Sequence, residues 1–201
     1  MNIPQFYPIV PDATHAKLYI DTGVRFLQIR LKELPYEEIV LQLQDTLTYA
    51  KAHNATLIIN DYWQEAIALK ADYIHLGQED LDKADINAIR RANVKFGLST
   101  HDTTELNRAL EYSPDYVALG PIYFTQLKAM TWAPQGLEKI ADWKKKIGDI
   151  PLIAIGGITL EHATDILDIG ADSVSVVTDI TRHKTPQQRL KSWLQAYPHK
   201  L

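Results

Sequence analysis

Cysteine is absent from all 201 residues of the chain. Its absence excludes disulfide bonds, thiolate metal sites and a cysteine nucleophile, and it is consistent with a cytoplasmic location. No apolar run approaches the ~20 residues that a membrane-spanning helix needs. The first residues, Met1 to Gln5, lack the charged and apolar regions of a signal peptide. We therefore expect a cytoplasmic protein with no membrane partner.

An excess of basic charge is also lacking. The chain has 21 Lys and Arg against 25 Asp and Glu, a net charge of -4, and no basic run. Bulk electrostatics therefore gives no reason to expect nucleic acid as a partner, and any anion site must be local. The length suits one domain over residues 1–201 and leaves a homo-oligomer open.

Short apolar strands alternate with helical patterns along the whole chain. Eight strand and helix pairs are predicted, from a strand at Phe6 to Val10 to a last strand at Ser173 to Thr178 and a helix near Pro186 to Ala196. This number in about 200 residues matches the lower size limit of a (β/α)8 TIM barrel. A doubly wound open sheet is the alternative, but no Gly-x-Gly-x-x-Gly follows the first strand. We predict a TIM barrel, whose reactive end is the face at the C-terminal ends of the strands.

The second predicted strand, Phe26 to Lys32, has two dissimilar faces. Its side chains alternate between an apolar row and a polar row: Leu27, Ile29 and Leu31 against Gln28, Arg30 and Lys32. On an exposed edge strand the polar row would face water. In a barrel covered by helices it points inward, where cations are costly without a partner. We infer that the partner is a polyanionic ligand.

Two aspartates directly follow neighbouring strands. Asp61 comes after the third strand and Asp80 shortly after the fourth, so both carboxylates can reach one point above strands that lie ~5 Å apart. Either aspartate alone could simply cap the helix that follows. The pair beside a cationic row predicts a Mg2+ site, because Mg2+ binds through few carboxylates plus substrate phosphates. Asn60 and Gln78 are expected to orient these groups.

Candidates for phosphate binding follow other strands. Gly156-Gly157 and Val177-Thr178 come at the ends of the seventh and eighth strands, where barrels often bind a phosphate through backbone N–H groups. Ser99 offers a hydroxyl donor at the end of the fifth strand.

The longest connection, residues 120–134, has the length of a functional loop. Its Thr125 offers a second hydroxyl donor. Its Lys128 could close over a diphosphate, although an exposed loop lysine is usually solvated. Two histidines are left without a metal-binding role: His75, inside the fourth strand, is typical of a satisfied core histidine, and His101 lies at the mouth.

Several segments are more specific than any of these single residues. They are Gln28-Ile29-Arg30-Leu31-Lys32, Ile59-Asn60-Asp61-Tyr62-Trp63, His75-Leu76-Gly77-Gln78-Glu79-Asp80-Leu81, Leu98-Ser99-Thr100-His101, Gly120 to Lys128 with Ala133 to Leu137, and Ala154-Ile155-Gly156-Gly157-Ile158. In this order they resemble the motifs of the thiamine-phosphate synthase family, and the resemblance covers nearly the full chain.

The resemblance implies a Mg2+-dependent coupling of hydroxymethylpyrimidine diphosphate with thiazole phosphate, giving thiamine phosphate and diphosphate. Family members are understood to release diphosphate first and to form a pyrimidine-stabilised carbocation. The implied metal ligands are Asp61 and Asp80, and the implied catalytic groups are Arg30, Lys32, Ser99 and Lys128. The implied substrate-binding residues are Gln28, Arg30, Lys32, Asn60, Ser99, Thr125, Leu127, Lys128, Gly157, Val177 and Thr178.

The chain departs from the family pattern at two places. Leu127 stands where a threonine is usual, and Thr178-Asp179 stands where serine and alanine are usual. Two other functions therefore stay open. One is an isomerase resembling the thiazole tautomerases, which would use His101 as an acid–base catalyst without a metal. The other is a non-catalytic phosphate-binding barrel.

Overall fold

The structure is a computed structural model that describes residues 3–125 and 132–199. Parallel strands close into a barrel in the order β1 to β8. The strands are β1 (Phe6–Val10), β2 (Phe26–Ile29), β3 (Thr56–Asn60), β4 (Tyr73–Leu76), β5 (Lys95–Thr100), β6 (Tyr116–Leu119), β7 (Leu152–Ile155) and β8 (Ser173–Val176). The predicted TIM barrel is confirmed.

Helices cover the outside of the barrel, and at least one follows each strand along the chain. They are α1 (Ala13–Thr22), α2 (Tyr36–Ala52), α3 (Trp63–Ala68), α4 (Gln78–Leu81), α5 (Ile86–Arg91), α6 (Thr103–Glu111), α7 (Glu138–Ile147), α8 (Leu160–Ile169), α9 (Thr178–Thr181) and α10 (Pro186–Ala196). Within the described ranges, no helix has both the length and the apolar character needed to cross a membrane.

Side-chain alternation divides the core into two layers. The outer layer lies between strands and helices and contains Leu27, Ile29 and Leu31. The inner layer fills the barrel, with Tyr7, Ile9, Phe26, Ile58, Tyr73, Tyr116, Ala118 and Ile153. Because Phe26 points inward, Gln28 two residues later does so as well. The predicted orientation of the second strand is therefore correct.

Local capping begins and ends helices where the sequence changes character. The carboxylate of Asp12 accepts a hydrogen bond from the His15 N–H at 2.8 Å and begins α1. Gly23, with φ of +117°, ends the same helix in a left-handed conformation that glycine adopts without strain. The chain can then return directly to β2.

Two predicted boundaries were wrong. The second strand ends at Ile29 rather than Lys32, although the Arg30 N–H still donates to the Val10 carbonyl at 2.9 Å. The eighth strand ends at Val176 rather than Thr178. The carbonyl of Val177 accepts the N–H groups of Ile180 and Thr181 at 3.1 and 3.0 Å, so Thr178 begins the short helix α9.

Candidate active site

A cavity of about 540 Å³ opens at the C-terminal ends of the strands. All predicted site residues that the structure describes line it: Gln28, Arg30, Lys32, Asn60, Asp61, Asp80, Ser99, Thr125, Gly157, Val177 and Thr178. Leu127 and Lys128 lie outside the described residues. The barrel thus brings eleven residues, which lie at or after the ends of several strands, to one cavity at its C-terminal face.

Two buried amides lie at neighbouring positions of the cavity wall. Gln28 on β2 is 2% exposed and Asn60 at the end of β3 is 6% exposed. Neither side chain makes a hydrogen bond to another residue in the part of the chain that the structure describes. Both side chains line the cavity, so their free donors and acceptors are available to a polar ligand.

The two cations of the polar row differ from each other. Lys32 forms an ion pair with Asp61, whereas the sequence suggested a ligand as its partner. Arg30 lies two residues deeper and is half-buried, and its guanidinium makes no hydrogen bond or ion pair with any residue of 3–125 or 132–199. A ligand remains the expected partner of Arg30. Lys32 would have to contact both Asp61 and the ligand.

Asp61 and Asp80 meet at the rim as the sequence predicted. Asp61 has φ of +69°, a left-handed conformation that aspartate tolerates better than most residues, and its N–H donates to the His75 carbonyl at 2.9 Å. Burial raises the pKa of Asp80, and the charge and carboxyl contact of Asp61 raise that pKa further. Two carboxylates held in contact are the feature that a bound cation would stabilise.

The donor set is small. Within the described residues, no group of three or more histidine, aspartate or glutamate side chains could hold a metal ion. A site made of Asp61 and Asp80 alone suits Mg2+, which keeps several waters and binds substrate phosphates, better than it suits a metal that needs a full protein cage. The residues present therefore fit Mg2+.

Ser99 is held by buried polar groups at the end of β5. Its Oγ lies 2.8 Å from His75 Nε2, and His75 Nδ1 lies 2.9 Å from the Tyr116 hydroxyl. Burial lowers the pKa of His75 to about 4. His75 is thus a satisfied core histidine, as predicted, but it also lines the cavity.

Gln78 has a different contact from the one we expected. Its Nε2 donates to the Ser99 carbonyl at 2.7 Å, so it ties the end of β4 to the end of β5 instead of hydrogen-bonding the carboxylates.

The glycine turn after β7 is required by the chain itself. Gly156 and Gly157 have φ of +99° and +67°, and a Cβ on Gly157 would lie 2.4 Å from the Phe124 carbonyl oxygen. The backbone of the preceding loop runs along this turn, with the Tyr123 N–H donating to the Gly156 carbonyl at 3.0 Å. The sequence had suggested close approach of a ligand, whereas the observed close approach is that of residues 121–124.

Asp179 is turned away from the cavity lining. Its carboxylate accepts hydrogen bonds from Arg189 Nε at 2.8 Å, Arg189 Nη2 at 2.9 Å and Trp193 Nε1 at 2.8 Å. The side chain is only 8% exposed, and Arg189 also binds Glu161 at 2.6 and 2.7 Å. The negative charge that this position adds is therefore compensated behind the turn that carries Thr178.

The mouth contains two residues that sequence reasoning missed. Glu105 accepts hydrogen bonds from the N–H of His101 at 2.8 Å and from its Nδ1 at 2.7 Å. Trp132 stacks on the His101 ring with centroids 5.6 Å apart. Glu105 could have been found as the third residue after the helix cap Asp102, a capping-box position, but no sequence signal indicated the Trp132 contact.

Comparisons with known proteins identify the family of this chain. A family model described as thiamine monophosphate synthase matches residues 7–180. A thiamine-phosphate synthase of Rhizobium etli is 50% identical over 98% of this chain and 96% of its own length, and one of Cronobacter sakazakii is 44% identical over 88% and 84%. A solved thiamine phosphate pyrophosphorylase from Pyrococcus furiosus has the same fold, with a TM-score of 0.81 and 23% identity, covering 95% of this chain and 94% of that one. The chain therefore belongs to the thiamine-phosphate synthase family and is an enzyme of the transferase class.

Proposed function

We propose that this enzyme couples hydroxymethylpyrimidine diphosphate to thiazole phosphate in the presence of Mg2+, releasing diphosphate and forming thiamine phosphate. The observation that carries the proposal is the distribution of neutral and charged polar groups in the cavity. Gln28 and Asn60, both buried, offer neutral hydrogen bonds inside the barrel, whereas Arg30, Lys32, Asp61 and Asp80 are charged groups of the same cavity. A ligand with a polar heterocycle at one end and a charged diphosphate at the other matches that distribution.

The amides suit the pyrimidine end. An aminopyrimidine ring has both donors and acceptors at its edge, and an amide side chain can satisfy either. Gln28, which is paired with Ile58 in the β2–β3 register, and Asn60, two residues further along β3, project from adjacent strands toward the same space. Two hydrogen bonds from adjacent strands would fix the ring's rotation inside the barrel, and with it the direction of the diphosphate.

The cations and Ser99 suit the diphosphate end. Arg30 can give two parallel hydrogen bonds to phosphate oxygens, and Ser99 offers a hydroxyl close by on β5. A dissociative reaction needs stabilisation of the charge that develops on the leaving diphosphate more than it needs a protein nucleophile. Preorganised donors in a partly buried cavity supply this stabilisation without reorganising during the reaction.

Asp61 and Asp80 would hold the Mg2+, which when bound supplies positive charge to the diphosphate oxygens. Burial, together with the charge and carboxyl contact of Asp61, raises the pKa of Asp80, and a bound cation would stabilise both carboxylates in their charged form. Lys32, already paired with Asp61, would then bridge the carboxylates and the diphosphate. Lys128, which the family resemblance assigns to the same group, belongs to this proposal on sequence alone.

The thiazole phosphate would bind across the cavity. Gly157, the backbone of Val177 and the Thr178 hydroxyl line that side, and the compensation of Asp179 by Arg189 removes the main electrostatic objection to an anion there. Capture of the carbocation by the thiazole nitrogen then requires only that the two ligands face each other. A cytoplasmic location, the absence of a nucleic-acid partner and the oligomeric state stay predictions.

One observation favours the isomerase alternative: Glu105 holds His101 Nδ1 and leaves Nε2 toward the mouth, an arrangement suited to proton transfer. An isomerase would have no use for the contact between Asp61 and Asp80, so the synthase is the better match.

The deciding experiment mixes the purified protein with both substrates and Mg2+ and measures thiamine phosphate. We expect product with Mg2+ and none with excess chelator. Asp61→Asn is the informative variant, because asparagine tolerates the left-handed backbone of this position and removes only the charge. It should fold normally and lose most of its activity. Full activity of the variant in chelator would overturn the metal role, and absence of product from the unaltered protein with Mg2+ would overturn the synthase proposal.

A further inference from the structure

A buried chain of hydrogen bonds lies beneath Ser99. His75 contacts the Ser99 Oγ with one ring nitrogen and the Tyr116 hydroxyl with the other. Tyr116 is fully buried. Of these hydrogen-bonded residues, Ser99 and His75 line the cavity.

Packing fixes the positions of the hydrogen-bonded His75 and Tyr116 side chains. The Tyr116 ring stacks on the His75 ring, with centroids 5.6 Å apart and planes at 19°. On β5, the strand between those of His75 and Tyr116, a Cβ on Gly97 would lie 2.0 Å from a ring atom of Tyr116. Glycine at position 97 therefore makes the space that allows the tyrosine to reach His75, and Ser99 follows two residues later on the same inward face.

The direction of these hydrogen bonds decides what Ser99 can offer a ligand. A neutral imidazole donates from one nitrogen and accepts at the other. If Nδ1 carries the proton, Nε2 accepts the Ser99 proton and the serine turns lone pairs toward the cavity. If Nε2 carries the proton, it donates to Ser99 Oγ and the serine proton is free to point at the ligand.

The cavity end of this hydrogen-bond chain favours the second arrangement. A phosphate or diphosphate offers acceptors only, so a serine beside it must donate. With the proton on Nε2, His75 Nδ1 is an acceptor, and the Tyr116 hydroxyl 2.9 Å away donates to it.

We propose that His75 is a positioning residue: Tyr116 fixes its Nε2–H form, and that N–H holds Ser99 with its hydroxyl proton directed at the anionic group of the substrate. This inference rests on the proposed function for the identity of the anion. The orientation of the hydrogen bonds, however, is a property of the unliganded protein and can be measured without turnover.

The first test is spectroscopic. Two-dimensional 1H–15N spectra of 15N-histidine-labelled protein distinguish the two neutral ring forms and the charged ring, and a His75→Gln sample identifies the signal among the 7 histidines. We expect His75 in the Nε2–H form at pH 7. In Tyr116→Phe, where Nδ1 loses its donor, a mixture of the two forms should appear. An Nδ1–H form or a ring protonated on both nitrogens in the unaltered protein would overturn the proposal, whatever the protein catalyses.

The second test is a double-mutant cycle on synthase activity. His75→Leu should reduce kcat by about 10- to 100-fold, the effect of misdirecting one charge-assisted hydrogen bond. His75→Gln, which retains an N–H donor near Ser99, should recover part of this loss. In a Ser99→Ala background the His75→Leu change should have almost no further effect, because its role is exerted through the serine.

Equal losses from His75→Leu in both backgrounds would show a general structural role and overturn the proposal. If His75→Leu does not fold, the comparison of His75→Gln and Tyr116→Phe in both backgrounds decides in the same way. Binding of inorganic pyrophosphate with Mg2+, measured by calorimetry, separates a failure of this inference from a failure of the synthase proposal. We expect Tyr116→Phe to bind pyrophosphate more weakly than the unaltered protein does. We expect Ser99→Ala/Tyr116→Phe to bind it as well as Ser99→Ala alone.

Discussion

Replacing Asp179 by alanine, the residue usual in the family, should destabilise this protein without improving phosphate binding. The side chain accepts two hydrogen bonds from Arg189 and one from the indole N–H of Trp193, which is fully buried. The substitution leaves that indole without its acceptor and Arg189 with Glu161 alone. In most families a change toward the usual residue is stabilising, so the expected sign is informative.

The magnitude follows from burial. Orphaning a buried donor costs about 1–3 kcal/mol, and breaking a well-buried ion pair costs about 3–5 kcal/mol. Because Glu161 still compensates Arg189, we expect a loss of about 3 kcal/mol, near the lower end of the second range. For a chain of this length that loss lowers the melting temperature by about 6–12 °C. Glu161→Gln is the matched control: its side chain is 65% exposed, so it should cost less than about 1 kcal/mol.

Urea unfolding and thermal melting measure the stability, and the KM for thiazole phosphate measures the electrostatic effect. Since the Asp179 charge is already paired, we expect KM to change by less than about threefold. A KM lowered tenfold or more, together with unchanged stability, would refute the reasoning and show that the carboxylate repels the substrate.

Three further outcomes follow from the site and the fold. Arg30→Met should leave the unliganded stability within about 1 kcal/mol and weaken diphosphate-substrate binding by about 10- to 150-fold; equilibrium unfolding and calorimetry check both. Asp80→Asn should raise the unliganded stability by less than about 1 kcal/mol, because it removes repulsion from Asp61, yet reduce Mg2+-dependent activity at least about 100-fold; a less stable variant would contradict the repulsion. Burial lowers the pKa of His199, so stability should fall as the pH drops below its unfolded value of about 6.5, by at most about 1.4 kcal/mol per pH unit, and His199→Gln should have a flatter pH profile of unfolding.

The barrel could be predicted from sequence because its signals are local. Strands such as β6 are short apolar runs that end at glycine or proline, and Asp12 and Asp102 mark helix starts by their own side chains. The gathering of Asp61 and Asp80 also followed from position alone, since both come after strands that are neighbours in the closed order.

Partners of charged side chains could not be predicted, because they depend on contacts between residues that are distant in sequence. Arg189 lies 10 residues from Asp179 and 28 from Glu161, and His75 lies 41 residues from Tyr116. Lys32 was assigned to a ligand because the alternation of one strand contains no information about the carboxylate on the next. The short helix α9 was missed because four residues carry no helical period.

These contacts divide the cavity's polar groups by purpose. His75, Ser99 and Gln78 have protein partners and form the framework, whereas Gln28, Asn60 and Arg30 have none among the described residues. A half-buried guanidinium without an ion-pair partner makes the unliganded protein less stable than an apolar residue there would, and the two amides present free donors and acceptors to the cavity. A bound substrate that pairs with these groups recovers that free energy. The same contacts then contribute to the affinity of the ligand and fix its orientation. The unpaired groups, more than the paired ones, are therefore where substrate specificity should be altered, and Gln28, buried inside the barrel, is the position at which a change of ring chemistry would be recognised.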